Sequence, residues 1–218
     1  MTREELIKKV ALKMDEIASS DDVIVPVGTG DNNPLYTQIN NLLNESVNDV
    51  LMKAPIYRLQ NQIATTKSST EAATVNFHRT AGKIDVPSDF LRLVSITDTQ
   101  FQRPIVELAI EGDDIDKRQH NKFLIAGSAK PVAVLGRDAA GKRIITCYSY
   151  ERTNDLVIAL NLNYVKQYDN DKDTTADANL DDYMCDIVSW VCAGNVFFAQ
   201  GDTDKGKICH ENASSLMI

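Results

Sequence analysis

The hydrophobic residues of this chain repeat with two different periods, and the order of those periods limits the fold. Towards both ends the apolar positions recur every three to four residues, the signature of amphipathic helices. Between about residues 74 and 166 they alternate every second residue, as half-buried strands require. A chain that reads helix, strand, helix is expected to build a helical part from both ends and a β part between them.

The first helix is expected over residues 2–18. Thr2 and Glu5 have the spacing of a capping box, and Leu6, Val10, Met14 and Ile17, with Ile7 and Ala11, share one face. Residues 19–32 hold Pro26, Gly28 and Gly30 without a helical period and read as a loop. Asn33-Pro34 then starts a second helix, Asn at the cap and Pro in the first turn. Leu35, Ile39, Leu42, Leu43, Val47, Val50 and Leu51 carry it until shortly before Pro55.

Strands are expected at residues 74–77, 91–97, 104–108, 122–125, 131–135, 143–150 and 155–165. Residues 138–141 read as a hairpin tip, and 111–119 as an exposed loop or a single helical turn. Residues 168–186 set Asp169, Asp171, Asp173, Asp177, Asp181, Asp182 and Asp186 against Lys172 alone. They lead into a helix over 178–200, with Asp177 or Asn179 as its cap and Gly201 as its stop. After Asp186 this helix is apolar nearly all round, so it is buried inside a bundle or between subunits. Ile187, Trp190, Val191, Phe197 and Phe198 are its candidate subunit-packing residues. A last short helix and the apolar end Leu216-Met217-Ile218 follow. The expected fold is α+β: a helical bundle from residues 1–72 and 169–218, and an antiparallel sandwich- or barrel-like insertion over 73–168.

The motifs that could carry chemistry each lack a necessary part. Gly136 to Arg143 approaches a phosphate-binding loop, but Arg143 stands where Ser or Thr must hold Mg²⁺, and a strand rather than a helix follows. Asp169-x-Asp171-x-Asp173 opens like a calcium loop, yet Thr174 and Leu180 occupy the positions of the required Gly and Glu. Cys147, Cys185, Cys192 and Cys209 have no paired zinc-site spacing and suit buried positions in a reducing compartment. His78, His120 and His210 are scattered, and no nucleophile elbow is present. Lys117, Arg118, His120 and Lys122, joined by Lys130, form a basic cluster that could touch DNA or an acidic neighbour, or remain ordinary solvated surface. No catalytic residue, metal or cofactor is expected.

Charge narrows the classes further. Lys and Arg number 23 against 31 Asp and Glu, a net charge of −8, so the overall field does not favour nucleic acid. The first residues lack the apolar core of a signal peptide, and the apolar run 187–199 is shorter than the ~18 residues of a membrane helix. The expectation is a soluble protein with no membrane partner.

One block reaches beyond this. Ile84-Asp85-Val86-Pro87-Ser88-Asp89-Phe90-Leu91-Arg92-Leu93-Val94-Ser95-Ile96 is followed by Gln119-His120-Asn121-Lys122, Gly127, Lys130-Pro131-Val132-Ala133 and Cys147-Tyr148. This ordered set resembles head–tail connector (adaptor, or tail-tubular) proteins of short-tailed bacteriophages, most of all the ring proteins of crAss-like phages. Locally, Pro87 fixes a turn, Asp89 can cap it, and Leu91, Leu93 and Ser95 are expected to alternate with Arg92, Val94 and Ile96. The resemblance implies a virion protein of the tail or neck, assembled in the host cytoplasm. It implies a ring of about twelve copies beneath the portal, above another tail ring or nozzle, through which DNA passes without specific binding. By the same analogy Leu216, Met217 and Ile218 dock on the portal, the bundles pack side by side, and the β part projects outward or holds the next ring. Two other readings stay open here: a peripheral tail module that binds a fibre or glycan, and an enzyme that uses the acidic loop with a divalent cation.

Overall fold

Helices from both ends of the chain form one unit, and the strands between them form another. The computed structural model describes residues 1–17, 34–71, 73–75, 79–121, 123–150, 157–169 and 179–217. The two units are residues 1–62 with 167–218, and residues 63–166. The fold is α+β, with five α-helices and eight strands among the described residues.

The helical unit is built round its most apolar segment. Helix α1 (Arg3–Ile17) is closed by the expected box: the Thr2 N–H donates to Glu5 Oε2 at 2.8 Å, and the Glu5 N–H to Thr2 Oγ1 at 3.3 Å. It buries Leu6, Ile7, Val10 and Met14. Helix α2 (Pro34–Lys53) buries Ile39, Leu43, Val47, Val50 and Leu51, and two short 3₁₀ turns (Ile56–Arg58, Gln60–Gln62) follow it. Helix α4 (Asp182–Gln200) packs against both, and against α5 (Thr203–Leu216). The cap of α4 is Asp181, whose carboxylate accepts the Met184 N–H at 2.6 Å. Asn179 instead adopts φ 56° and donates through its amide to the Asn61 carbonyl, and Asp177 lies outside the described residues. Gly201 ends α4 at φ 87°, a left-handed conformation that favours glycine.

Polar groups pin these helices. Arg3 is 1% exposed, and its guanidinium donates to Asn40 Oδ1 (2.8 Å), Asn44 Oδ1 (2.6 Å) and the Asn40 carbonyl (2.8 Å). A second chain runs from His210 Nε2–H to Asn195 Oδ1 (3.2 Å), from Asn195 Nδ2 to Ser46 Oγ (2.9 Å), and from Ser46 to the Leu42 carbonyl (2.8 Å). Helices α4 and α5 approach closely because each offers a glycine to a ring of the other. A Cβ on Gly194 would stand 2.6 Å from the His210 ring, and one on Gly206 2.7 Å from the Phe198 ring.

The β unit is a two-sheet sandwich. Strands β1 (Ile63–Glu71), β8 (Val157–Lys166) and β4 (Phe90–Thr97) form one sheet in the order β1-β8-β4. The other is β2 (Ala73–Val75), β3 (Arg79–Asp85), β7 (Arg143–Tyr150), β6 (Val132–Arg137) and β5 (Leu108–Ile110). Ile84, Ile96, Ala133, Ile145, Cys147, Leu160, Leu162 and Tyr164 from both sheets share one core.

Several sequence expectations are corrected. The β unit begins at Ile63, before the boundary at 73, because the polar run 63–71 is strand β1 and pairs with β8 along its whole length. Its Thr- and Ser-rich sequence has no apolar alternation to betray it. The stretch 104–108 contributes one antiparallel bridge, Ile105 to Ile96, and the strand itself is Leu108–Ile110. That strand runs parallel to β6, so the unit is not wholly antiparallel; helix α3 (Asp114–Gln119) lies in the connection. The alternation along β4 is also broken. Its register against β8 shifts between Phe90 and Arg92 and again between Leu93 and Ser95. Each shift inserts one residue, so Phe90, Leu93 and Ile96, three apart, are the ones that meet the core.

Two predictions follow from the contact between α4 and α5. Gly194→Ala must displace the His210 ring and is expected to lose roughly 1–3 kcal/mol in urea unfolding. Burial, with Lys53 nearby, holds the His210 pKa below the ordinary 6.5, against the opposing pull of Asp49. The unfolded chain therefore takes up the proton first. Stability is full above about pH 6.5 and falls as the pH drops through the lower folded value. Unfolding midpoints at pH 7.5 and 5.5 should differ in the wild type, and by less in His210→Gln.

Candidate interaction site

The described surface of the β unit concentrates apolar and cationic side chains around β5, β6 and the loops that flank them. Val106, Ile110, Ile115, Phe123 and Leu124 are all exposed, Phe123 by 84% and Leu124 by 57%. The sequence reading placed a strand at 122–125; the described part of it is a turn. Asn121 explains the change: its Oδ1 accepts the Phe123 N–H at 2.9 Å, and its carbonyl accepts the Leu124 and Ile125 N–H groups. Buried Gln119 anchors the loop, accepting the Ala126 N–H at 3.0 Å and donating to the Ile115 carbonyl at 2.9 Å. A shallow hollow of about 260 Å³ lies beside β5, with Val106, Leu108, Ile115 and Pro131 in its wall.

The basic cluster is only partly gathered. Lys117 and Arg118 end α3, where cations oppose the negative end of the helix dipole. The same helix starts with Asp113 as its cap and Asp114 in its first turn, and Lys117 Nζ stands 3.6 Å from Asp114. Lys130 is exposed in the turn before β6. Lys122 lies outside the described residues. His120 is 3.6 Å from Asp116 and edge-on to the Tyr148 ring.

A denser cationic group sits at the β6–β7 hairpin, the segment that approaches a phosphate-binding loop in sequence. It is a tight turn, as expected: the Gly141 N–H donates to the Asp138 carbonyl, and the Asp138 carboxylate accepts the Ala140 and Lys142 N–H groups. Arg137 and Arg143 are paired directly across the two strands. Sequence reading missed this pair, since register alone brings the two together.

In the helical unit the candidate packing residues are largely satisfied within the chain. Ile187, Val191 and Phe197 are buried there. Trp190 is half-buried under Lys13 Nζ, 4.7 Å from the ring centre. Phe198 stays 41% exposed and stacks on His210. Leu216 and Met217 are half-buried, and the Tyr183 hydroxyl donates to the Leu216 carbonyl. Ile218 lies outside the described residues. An open polar groove of about 770 Å³ has Asn44, Glu45, Asn48, Asp49, Asp169 and Asn195 in its wall.

All four cysteines are buried, and desolvation pushes Cys192 up to about 12 and Cys209 to about 11, which keeps them as thiols. Among the described residues no group of three or more His, Cys, Asp or Glu is placed to hold a metal ion. Of the calcium-like triplet only Asp169 is described, and it is exposed. No described helix is long and apolar enough to cross a membrane.

Charge is divided between the units. Residues 1–62 and 167–218 hold 9 Lys and Arg against 19 Asp and Glu, whereas residues 63–166 hold 14 against 12. The helical unit is thus at −10 and the β unit at +2, which together return the −8 of the chain. No known protein family and no curated protein matches this chain.

Proposed function

We propose that the chain is a virion structural protein: a ring subunit of a head–tail connector that docks beneath a portal and extends the DNA channel. The observation that carries this reading is the resemblance of the block Ile84 to Ile96 to connector proteins. In this chain the block has a defined local job. Pro87 opens a turn in which the Phe90 N–H donates to the Pro87 carbonyl at 3.2 Å, and Asp89 accepts the Tyr164 hydroxyl at 2.9 Å. It thereby fixes where β4 joins the shared core.

The arrangement of the chain supports the same reading. A β unit inserted between helices from both ends can offer contact surfaces of its own while the helices make others. About twelve copies at −8 each sum to a charge on the order of −100. A lumen of that sign repels phosphates, so DNA slides through without being held. The partners of the chain are then further copies of itself, the portal above, and a tail ring or nozzle below.

Electron microscopy of the purified chain with the portal of the same phage, and of each alone, tests the proposal. A stacked ring of about twelve copies is expected in the mixture. A chain that ignores the portal and forms no ring overturns it. Deleting residues 217–218, which leaves the Tyr183–Leu216 contact in place, is expected to weaken portal binding about tenfold or more while the melting temperature holds. Undiminished binding would remove the C-terminal end from the docking surface.

A further inference from the structure

The pairing of Arg137 with Arg143 is a local conflict that the β unit does not resolve. Residues directly opposite in an antiparallel pair point to the same face, and like charges there are destabilising. Along the same row, Leu135 faces Ile145 and Ala133 faces Cys147, and these four meet the core. The row changes from apolar to doubly cationic at its last step, where both arginines are exposed. Lys142 stands beside them.

Among the described residues, the carboxylates of Asp138, Glu111 and Asp85 at this hairpin have partners other than the two guanidinium groups. Asp138 is taken up by the amides of the turn, Glu111 accepts the backbone N–H of Arg137 at 3.2 Å, and Asp85 holds Lys142 Nζ at 2.6 Å. Arg137 donates through one nitrogen to the Gly141 carbonyl. Among the described residues, neither guanidinium has an ion-pair partner. Two exposed arginines opposed across one strand pair suit carboxylates brought by another molecule.

We infer that Arg137 and Arg143 form a clamp for carboxylates on the helical unit of a neighbouring copy of this chain. The inference rests on the ring reading above and names the contact that closes the ring. A ring needs a heterologous interface, in which two different surfaces of each copy meet. The chain supplies two of opposite character: a β unit at +2 that ends a strand pair in unpaired arginines, and a helical unit at −10. DNA is the weaker partner for the clamp, because the same helical units repel phosphate from the assembled ring. Assembly relieves the conflict, since incoming carboxylates neutralise the opposed charges.

Three variants of the full chain test this, each mixed with the portal and counted by electron microscopy. R137E/R143E and R137Q/R143Q should lower the ring yield about tenfold or more, while R137K/R143K retains rings. The isolated R143Q chain, which keeps the Arg137–Gly141 hydrogen bond, should melt no lower than the wild type, because it loses only a repulsion; a merely structural role for Arg143 would lower its melting temperature. Carbodiimide treatment of R143K rings, assembled from heavy- and light-isotope chains, should link residue 143 to a helical-unit carboxylate of a different chain. Rings at wild-type yield from R137E/R143E overturn the clamp, as do links confined to one chain. Normal rings from that variant that no longer retain DNA assign the arginines to DNA and overturn it too. A wild-type chain that forms no ring with the portal fails the connector reading itself, which separates that failure from failure of the clamp.

Discussion

The burial of α4 is the constraint on which the rest depends. Eleven of its residues are buried, from Met184 to Phe197, and they meet α1 and α2 from the other end of the chain. Each fully buried Leu, Ile, Val, Phe or Met contributes roughly 1.5–3 kcal/mol. Among the described helices none has so little polar face, and none depends as heavily on its neighbours. Because its partners come from residues 3–53, the chain must return after residue 166 to complete a unit that it began at residue 3. Everything between is thereby an insertion. Within the unit, the Arg3 contacts set α1 against α2, and the chain His210–Asn195–Ser46 ties α5 through α4 to α2. Apolar burial supplies the drive, and these directional bonds select one packing among many of similar area.

The insertion closes on itself at its neck. Its first strand and its last pair throughout, from Ile63 opposite Val165 to Glu71 opposite Val157. The points where the chain enters and leaves the β unit are therefore neighbours. That geometry lets a two-sheet sandwich be inserted in the sequence between two helical segments. It also leaves the loops of the sheets free to differ, and the exposed Phe123 loop and the β6–β7 hairpin are such places. One is held by Asn121 and Gln119, the other by Asp138, so both present defined surfaces.

The proposed function draws on this division. The −8 of the chain hides a helical unit at −10 and a β unit at +2, so a single average charge describes neither. Segregation of this kind gives one copy two unlike faces. In the ring proposed above, unlike surfaces are what neighbours bring together, and the excess negative charge is of the sign that repels DNA.

The sequence alone determined that helices stand on both sides of a run of strands, and that one helix must be buried. The box at Thr2 and Glu5, the stop at Gly201, the hairpin at 138–141 and the apolar length of α4 are local features, and local chemistry decides them. Strand β1 escaped because its polar residues gain their place from pairing with β8, not from any pattern of their own. The faces of β4 were misread because two bulges shift the register, and a bulge is set by the partner strand. The candidate site shows the same split: Lys117, Arg118 and Lys130 were legible as a basic run, whereas the opposition of Arg137 and Arg143 was not. Only tertiary structure decided which residues stand opposite one another, because register is a property of two strands and neither strand carries it alone.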